Sequence, residues 1–153
     1  MKKNLAFLLA VVLAFTCVLG LGAAAAEAKA PVIYTTVPMR ATVSILYAVK
    51  AAELDGAALY VQKNGGEAVA LTNPKEEGEY LIFEYSNLSA AEMETKVKVY
   101  VEGYEADAKT YSVADFLNKY IAENENSANG KLAKAMLDYG AAVAEYKKPA
   151  AEN

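Results

Sequence analysis

The stretch "KLAKAMLDYGAAVAEYKK" (Lys131–Lys148) has the periodicity of an α-helix with two unlike sides. Its large apolar residues recur every three or four positions, which predicts one apolar packing stripe. That stripe consists of Leu132, Met136, Tyr139, Val143 and Tyr146. Because such a stripe needs a surface to cover, this stretch indicates that the upstream chain supplies a layer for the helix.

Gly140 stands in the middle of this helix, where glycine costs about 1 kcal/mol relative to alanine. It lies beside the apolar stripe, on a flank of small residues with Ala133 and Ala144, and with Leu137 among them. Small side chains allow two elements to approach closely, and the resulting packing offsets the cost of the glycine. We therefore predict a packing role for Gly140, with Tyr139 as a structural neighbour, rather than a role in a functional site.

A second helix is predicted just upstream, in "YSVADFLNKYIAEN" (Tyr111–Asn124). Ser112 and Asp115 have the spacing of a capping box, in which each side chain accepts a backbone N–H of the other residue. Phe116 lies where it can contact Tyr111 and fix the start of the helix. The core-facing stripe comprises Val113, Phe116, Leu117, Tyr120 and Ile121.

Residues before these helices alternate with the period of β-strands. The segment "TKVKVYVEGY" (Thr95–Tyr104) alternates valines with charged residues, which is typical of a half-buried strand. Asn64-Gly65-Gly66 separates two shorter runs and predicts a tight hairpin. Strands are predicted at 41–50, 58–63, 67–72, 80–86 and 95–104, and in a short segment ending at residue 110.

The connecting segments complete this pattern. Residues 30–38 are interpreted as an extended lead-in and residues 73–79 as a polar turn. Ser89 and Glu92 have capping-box spacing and predict a single helical turn. The predicted fold class is α+β, with an antiparallel, sandwich-like sheet assembly of about six strands followed by a C-terminal helical hairpin.

The N-terminal residues have the order of a secretory signal peptide. A basic start precedes the apolar run "LAFLLAVVLAFTCVLGL" (Leu5–Leu21), and small residues follow. The predicted domains are a signal peptide at 1–28, a secreted domain at 29–148 and a frayed tail at 149–153. Cleavage after residue 26 is the close alternative. The run is also nearly long enough to remain as an uncleaved membrane anchor, so the predicted location is extracellular, either free or tethered.

Composition restricts the chemistry. The chain has no His, no Trp and one Cys, Cys17, which lies inside the predicted signal peptide. Phe15 and Thr16 before it do not suit a lipoprotein site. Catalysis by Ser-His-Asp or Cys-His groups and zinc sites built on His and Cys are therefore excluded, and no cofactor is expected. Cleavage after residue 28 leaves 13 basic and 18 acidic residues, a net charge near −5, which disfavours nucleic acid as a partner.

The C-terminal half of the chain resembles an uncharacterised module of secreted and cell-surface proteins from Gram-positive gut bacteria. The residues that carry the resemblance are "YLIFEYSNLSAAEMETKVKVYV" (Tyr80–Val101), "TYSVADFLNKYI" (Thr110–Ile121) and "KLAKAMLDYGAAVAEY" (Lys131–Tyr146). The resemblance implies a strand, a one-turn helix and a strand before the helix pair. It implies no activity and assigns no catalytic residue.

Three groups of residues are candidates for function. Glu76, Glu77 and Glu79 cluster in one turn and are the candidate carboxylates of a glycosidase, but a short polar turn of this kind is typical of a solvated hairpin tip. The oxygen-rich linker Glu123–Gly130 suggests calcium but lacks the order of an EF-hand loop. Tyr100 falls on the polar face of its strand, which makes it the best candidate for an exposed binding aromatic.

We expect from these observations a secreted or surface-retained, non-catalytic interaction module that binds a protein or a glycan. Two alternatives stay open: an extracellular structural subunit that self-associates through a strand edge, and a carboxylate-based hydrolase. No membrane contact is expected after signal cleavage. The sequence does not determine the oligomeric state.

Overall fold

The computed structural model describes residues 29–40 and 42–148. The predicted signal peptide at 1–28 and the predicted frayed tail at 149–153 lie outside the described residues. The described chain forms two four-stranded antiparallel sheets followed by a pair of C-terminal helices, so the predicted α+β class with a sandwich-like sheet assembly and a helical hairpin is confirmed.

Within the described residues, the strands form two sheets and the chain forms three helices. The strands are β1 (Tyr34–Thr36), β2 (Ile45–Lys50), β3 (Leu59–Lys63), β4 (Ala68–Leu71), β5 (Lys75–Glu77), β6 (Tyr80–Tyr85), β7 (Val97–Val101) and β8 (Lys109–Tyr111). The helices are α1 (Ala51–Leu54), α2 (Val113–Asn124) and α3 (Ala128–Tyr146), with 3₁₀ turns at Ala90–Glu92 and Glu105–Asp107. The first sheet has the order β1-β2-β6-β5 and the second has the order β4-β3-β7-β8.

The core lies between the inner faces of the two sheets. Val97, Val99 and Val101 of β7 are all buried, as the alternation of that strand predicts. The opposite face comes from Ile45, Tyr47 and Val49 of β2 and from Phe83 and Tyr85 of β6. Ser44, directly before β2, is also buried, and its hydroxyl accepts a hydrogen bond from Arg40 at 2.9 Å.

The sandwich contains eight strands rather than about six. The predicted lead-in contains β1, which pairs with β2, and the predicted polar turn contains β5, which pairs with β6. Both additional strands are three residues long and lie at one edge each of the first sheet. Strands this short contain too few residues for a period of two to be recognised, and β5 carries the exposed charges that suit a sheet edge.

The tight hairpin at Asn64-Gly65-Gly66 is confirmed. Asn64 and Gly65 have φ angles of 51° and 69°, which a hairpin turn of this kind requires and which glycine and asparagine adopt most readily. The Gly66 N–H donates to the Lys63 carbonyl at 2.9 Å and closes the turn between β3 and β4.

The predicted capping box at Ser89 forms the 3₁₀ turn Ala90–Glu92. The Ser89 N–H and hydroxyl both donate to the Glu92 carboxylate at 2.9 Å, and Lys63 donates to it at 3.0 Å. The backbone N–H of Ser89, followed by the ammonium of Lys63, lowers the pKa of Glu92 to about 2. Because Lys63 belongs to β3, this contact ties the turn to the second sheet.

Helix α2 begins at the predicted cap. The Asp115 N–H donates to the Ser112 hydroxyl at 3.0 Å, and the Ser112 N–H donates to the Asp115 carboxylate at 2.9 Å. Lys96 also donates to Asp115, and this hydrogen bond is the main reason that the pKa of Asp115 lies below its ordinary value. Val113 is fully buried and Phe116 packs against the core, so the helix covers the sandwich with its predicted face.

Helix α3 meets the rest of the fold through its small flank. Gly140 is buried, and a Cβ atom at this position would lie 2.8 Å from the Ala90 carbonyl oxygen and 2.8 Å from Met93 Sδ. Ala133 on the same flank is also fully buried. The predicted packing role of Gly140 is therefore confirmed, and the element that approaches it is the 3₁₀ turn.

The apolar stripe of α3 packs only in part, since Met136 contacts the core whereas other members of the stripe are largely exposed. Leu132 is 44% exposed, Tyr139 is 64% exposed and Tyr146 is 90% exposed, so the structural role predicted for Tyr139 within the fold is wrong. The reason is geometric, because a helix that docks through its smallest residues comes close to the surface and leaves its larger neighbours beside the contact. The part of the chain that the structure describes contains no helix that is both long and apolar enough to cross a bilayer.

Replacement of Gly140 by alanine is expected to destabilise the protein, because the added methyl group meets the backbone of the 3₁₀ turn. Such overpacking costs about 1–3 kcal/mol and outweighs the gain of about 1 kcal/mol in helix propensity. Chemical denaturation checks the free energy of unfolding. The control is Ala141→Gly at the exposed neighbouring position, which is expected to cost about 1 kcal/mol. A Gly140→Ala variant as stable as the parent would contradict this account of the contact.

Candidate functional site

The predicted binding residue Tyr100 lies on the outer face of the second sheet, opposite the buried valines of β7. It is half-buried and pairs directly with Tyr60 of β3. The two rings stack with their centroids 5.6 Å apart and their planes 16° apart. Lys98 Nζ lies 5.4 Å from the Tyr100 ring centroid, within the range of a cation–π contact. We call Tyr60 and Tyr100 the stacked pair.

The rings of the stacked pair already contact one another. Tyr60 occupies the side of Tyr100 that faces β3, and the Lys98 ammonium lies over the Tyr100 ring. Ala70 of β4 follows Tyr60 in register, so the surface beside the pair has low relief. The stacked pair therefore offers hydroxyl groups and ring edges on a flat face rather than a concave site.

A second group of tyrosines lies on the outer face of the first sheet and forms a shallow depression of about 270 Å³. We call this depression the tyrosine cup. It is lined by Tyr34, Ala48, Glu77, Tyr80 and Ile82. The Tyr34 and Tyr80 rings meet edge to face, with centroids 5.9 Å apart and planes 82° apart. Two aromatic walls at right angles thus stand beside a small alanine.

Strand register explains why these residues meet. Tyr34 of β1, Ala48 of β2 and Ile82 of β6 are successive partners across the sheet, so their side chains share one face. Tyr80 of β6 and Glu77 of β5 are partners in the neighbouring row. The cup therefore draws on all four strands of the first sheet.

Charged groups flank the tyrosine cup. Lys50 pairs with Tyr80 in register, and its Nζ lies 5.7 Å from the Tyr80 ring centroid. The Lys50 ammonium also donates to Glu79 at 3.1 Å, and this hydrogen bond raises the pKa of Lys50 above its ordinary value. Lys50 consequently remains a cationic donor beside the aromatic walls, while Glu77 provides an acceptor.

The tyrosine cup was not predicted from the sequence, because residues 30–38 were interpreted as a lead-in and not as part of the sheet. A signal was present, since Val32, Tyr34 and Thr36 alternate with Ile33 and the residues that follow it. In the structure, Val32, Tyr34 and Thr36 are exposed and the intervening residues are at least half-buried. This period of two would have placed Tyr34 on an outer face.

Buried hydroxyl groups form a further cluster inside the sandwich. Tyr47 is fully buried, and its hydroxyl has no hydrogen-bond partner among the described residues. Burial, followed by the nearby phenols of Tyr85 and Tyr111, raises the pKa of Tyr47 well above its ordinary value of 10.0. Because this hydroxyl is enclosed by the core, a dissolved substrate cannot reach it, and its perturbation reflects packing.

The candidate carboxylates of a hydrolase are all exposed. Glu76 and Glu77 lie on the edge strand β5, where Glu77 pairs with Lys75. Glu79 pairs with Lys50 at 3.1 Å. Two of the three carboxylates thus have lysine partners on an open surface, which differs from the enclosed and opposed carboxylates of a glycosidase.

The candidate calcium segment is the connection between α2 and α3. The Asn124 amide donates to the Tyr120 carbonyl at 3.1 Å, and the Ser127 hydroxyl accepts from the Gly130 N–H at 2.9 Å. These polar groups therefore end one helix and begin the next. Across residues 29–40 and 42–148, no three His, Cys, Asp or Glu side chains converge as a metal site would require.

A groove of about 710 Å³ lies between α2, α3 and the first 3₁₀ turn. Four of its charged residues form two pairs, with Lys134 and Asp138 3.1 Å apart and Glu145 and Lys148 2.5 Å apart, and Glu94 and Glu125 also line it. The tyrosine cup differs from this groove because it places an exposed aromatic ring, that of Tyr34, at a concave surface.

Comparisons with protein-family models, with curated proteins and with solved structures each found no match.

Removal of the unpaired hydroxyl by Tyr47→Phe is expected to leave stability at pH 7 unchanged or to raise it by up to about 1 kcal/mol. Above pH 10 the unfolded chain releases the phenolic proton that the folded chain keeps, so the free energy of unfolding falls with pH by up to about 1.4 kcal/mol per unit. Tyr47→Phe should reduce this slope. Denaturation between pH 8 and 11 measures it, and Tyr146→Phe at an exposed position is the control. An unchanged slope in Tyr47→Phe would contradict the assignment.

Proposed function

We propose that this chain is an exported, non-catalytic interaction module that binds a glycan through the tyrosine cup. The observation that carries the proposal is the right-angled pair of Tyr34 and Tyr80 beside Ala48, with Lys50 and Glu77 at the rim. Tyr34 is 51% exposed, so part of its ring is available to a ligand.

The chemistry of a sugar ring matches this arrangement. A pyranose presents an apolar face of C–H groups that packs on an aromatic ring, and its hydroxyl groups project from the ring edge. In the cup, one tyrosine ring can contact the apolar face while the second limits the position of the sugar. Lys50 can donate to a hydroxyl oxygen, and Glu77 can accept a hydroxyl proton.

Size and charge favour a glycan over a protein as the ligand of this site. A stable protein interface buries about 800 Å² on each partner, which greatly exceeds what one shallow depression provides. The cup volume of about 270 Å³ lies just below the usual range for small-molecule sites and suits one or two sugar units. The acidic balance of the chain disfavours polyanionic glycans, so a neutral glycan is proposed.

The stacked pair is the second candidate surface. Tyr60 and Tyr100 are both half-buried, whereas Tyr34 in the tyrosine cup is 51% exposed. For this reason the cup is the proposed primary site. Substitution of a tyrosine by alanine in each surface distinguishes the two candidate sites.

Export is part of the proposal and rests on residues 1–28, with their basic start, apolar run and small-residue segment. A free extracellular protein and a tethered one differ in the N-terminus that they retain. Mass spectrometry of the exported protein distinguishes them, since cleavage after residue 28 yields a chain that begins at Lys29. A chain that keeps the apolar run would be tethered.

Tyr34→Ala and Tyr80→Ala are each expected to weaken the binding of a neutral glycan at least about tenfold, because each removes one aromatic wall. The probes are neutral oligosaccharides selected on a glycan array, and calorimetry measures their dissociation constants. Tyr100→Ala is the matched control on the other sheet and should bind as the parent does.

The outcomes separate the hypotheses. Loss of binding only in Tyr100→Ala would transfer the site to the stacked pair. Parent affinity in all three variants would exclude both tyrosine surfaces. Absence of binding to every neutral oligosaccharide would overturn the proposed function.

A further inference from the structure

Helix α3 presents an exposed seam with the repeat of a coiled coil. The seam residues are Leu132, Met136, Tyr139, Val143 and Tyr146, which are separated by four, three, four and three positions. We propose that this seam pairs antiparallel with the same seam of a second copy of the chain. The inference is independent of the glycan site, which lies on the outer face of the first sheet.

The spacing of the seam residues matches that of a coiled coil. Apolar residues that alternate between separations of four and three positions keep one side of a helix facing a partner helix. In heptad terms, Leu132, Tyr139 and Tyr146 occupy one seam position, and Met136 and Val143 occupy the other. The seam extends over most of the 19 residues of α3. A partner that matches it is a helix with the same repeat.

The seam exposes a continuous apolar area. Tyr139 and Tyr146 are 64% and 90% exposed and together present about 300 Å² of side chain. Leu132 at 44% exposure and the half-buried Met136 and Val143 extend this surface. An apolar patch of this size is comparable to the largest patch on a typical monomer, and such patches are often functional. It supplies a large part of the roughly 800 Å² that each partner contributes to a standard interface.

The residues that flank the seam are small and uncharged. Ala135 and Ala142 lie on its free side, and both are exposed. Ala133 and Gly140 lie on the side that faces the 3₁₀ turn. Because these four positions are small and uncharged, a second copy meets no like charge beside the seam and can approach closely. An identical partner is therefore tolerated, although identical charges would otherwise repel.

Residue size selects the antiparallel orientation. In an antiparallel pair, Tyr139 contacts Val143 of the second copy, and Tyr146 contacts Met136 of the second copy. Each large ring then meets a smaller side chain, and two-fold symmetry repeats both contacts. A parallel pair would place each tyrosine against its own copy. Antiparallel helix dipoles also attract each other.

A groove beside the seam fits this arrangement. It has a volume of about 360 Å³ and is lined in part by Val43, Met93, Met136 and Tyr139, together with Arg40, whose charge is paired with Glu84. Most of its lining is apolar, so side chains at the edge of a second α3 can enter it. The interface would then include the segment before β2 as well as the helix.

Sedimentation velocity of the purified protein from 1 µM to 500 µM tests the proposal, and a concentration-dependent dimer is expected. Tyr139→Lys is expected to raise the dimer dissociation constant at least about tenfold. Ala142→Glu tests the same face with a change at an exposed small residue. Tyr34→Lys is the control, since it places the same charge on the outer face of the first sheet. Circular dichroism verifies that each variant is folded.

Single cysteines test the orientation. When the variants Tyr139→Cys and Val143→Cys of the chain without residues 1–28 are mixed and oxidised, a mixed disulfide dimer is expected, because antiparallel pairing brings these positions within disulfide distance. Predominant linkage of Tyr139→Cys to itself would overturn the antiparallel arrangement. A monomer at all concentrations, or a dimer unaffected by both Tyr139→Lys and Ala142→Glu, would overturn the proposal.

Discussion

The close contact between Gly140 and the 3₁₀ turn is the constraint on which the arrangement of the helices depends. No side chain larger than hydrogen fits between this position and the Ala90 carbonyl without a shift. The turn itself is fixed by the carboxylate of Glu92, which accepts from its own cap and from Lys63 of β3. A helix at the end of the chain is thereby anchored, through one short turn, to a strand in the middle of the second sheet. Helix α2 adds the remaining cover through Val113 and its neighbours in the core.

The same constraint decides what α3 shows to solvent. A helix that packs through its smallest residues can approach the surface more closely than one that packs through leucine or tyrosine. The close contact then stabilises the helix without burial of its large side chains. The large residues then remain available, as the 64% exposure of Tyr139 shows. Packing of the monomer uses the small flank together with Met136, and the pairing proposed for α3 uses mainly the exposed residues of the adjoining side.

Much of the fold could be predicted from local sequence. The valines of β7, the Asn64-Gly65 hairpin and the Ser112 cap each depend on residues within a few positions of one another, and local chemistry determines them. The three-residue strands β1 and β5 could not be found in this way, because their pairing is set by partners elsewhere in the sheet. Periodicity identified both sides of α3, but it could not indicate which side docks, since that depends on the shape of the surface opposite.

The candidate functional site could also be predicted only in part from local sequence. Tyr100 was assigned to the outer face correctly, because the alternation of β7 fixes the direction of every side chain along it. The tyrosine cup needs Tyr34, Ala48, Glu77 and Tyr80 to meet across four strands, and no short stretch of sequence contains that information. Only the register of the first sheet brings them together.

The position of β1 has a consequence for how easily proteolysis could remove one wall of the proposed glycan site. This strand lies a few residues from the predicted start of the mature chain, and three residues pair it to β2. The backbone N–H of Val32 donates to Glu53 at 2.9 Å, which gives the segment one further attachment. An aminopeptidase that removed fewer than ten residues from Lys29 onward would delete Tyr34 while most of the core residues remained in place. Such trimming would remove one aromatic wall of the proposed glycan site while leaving the sandwich core in place.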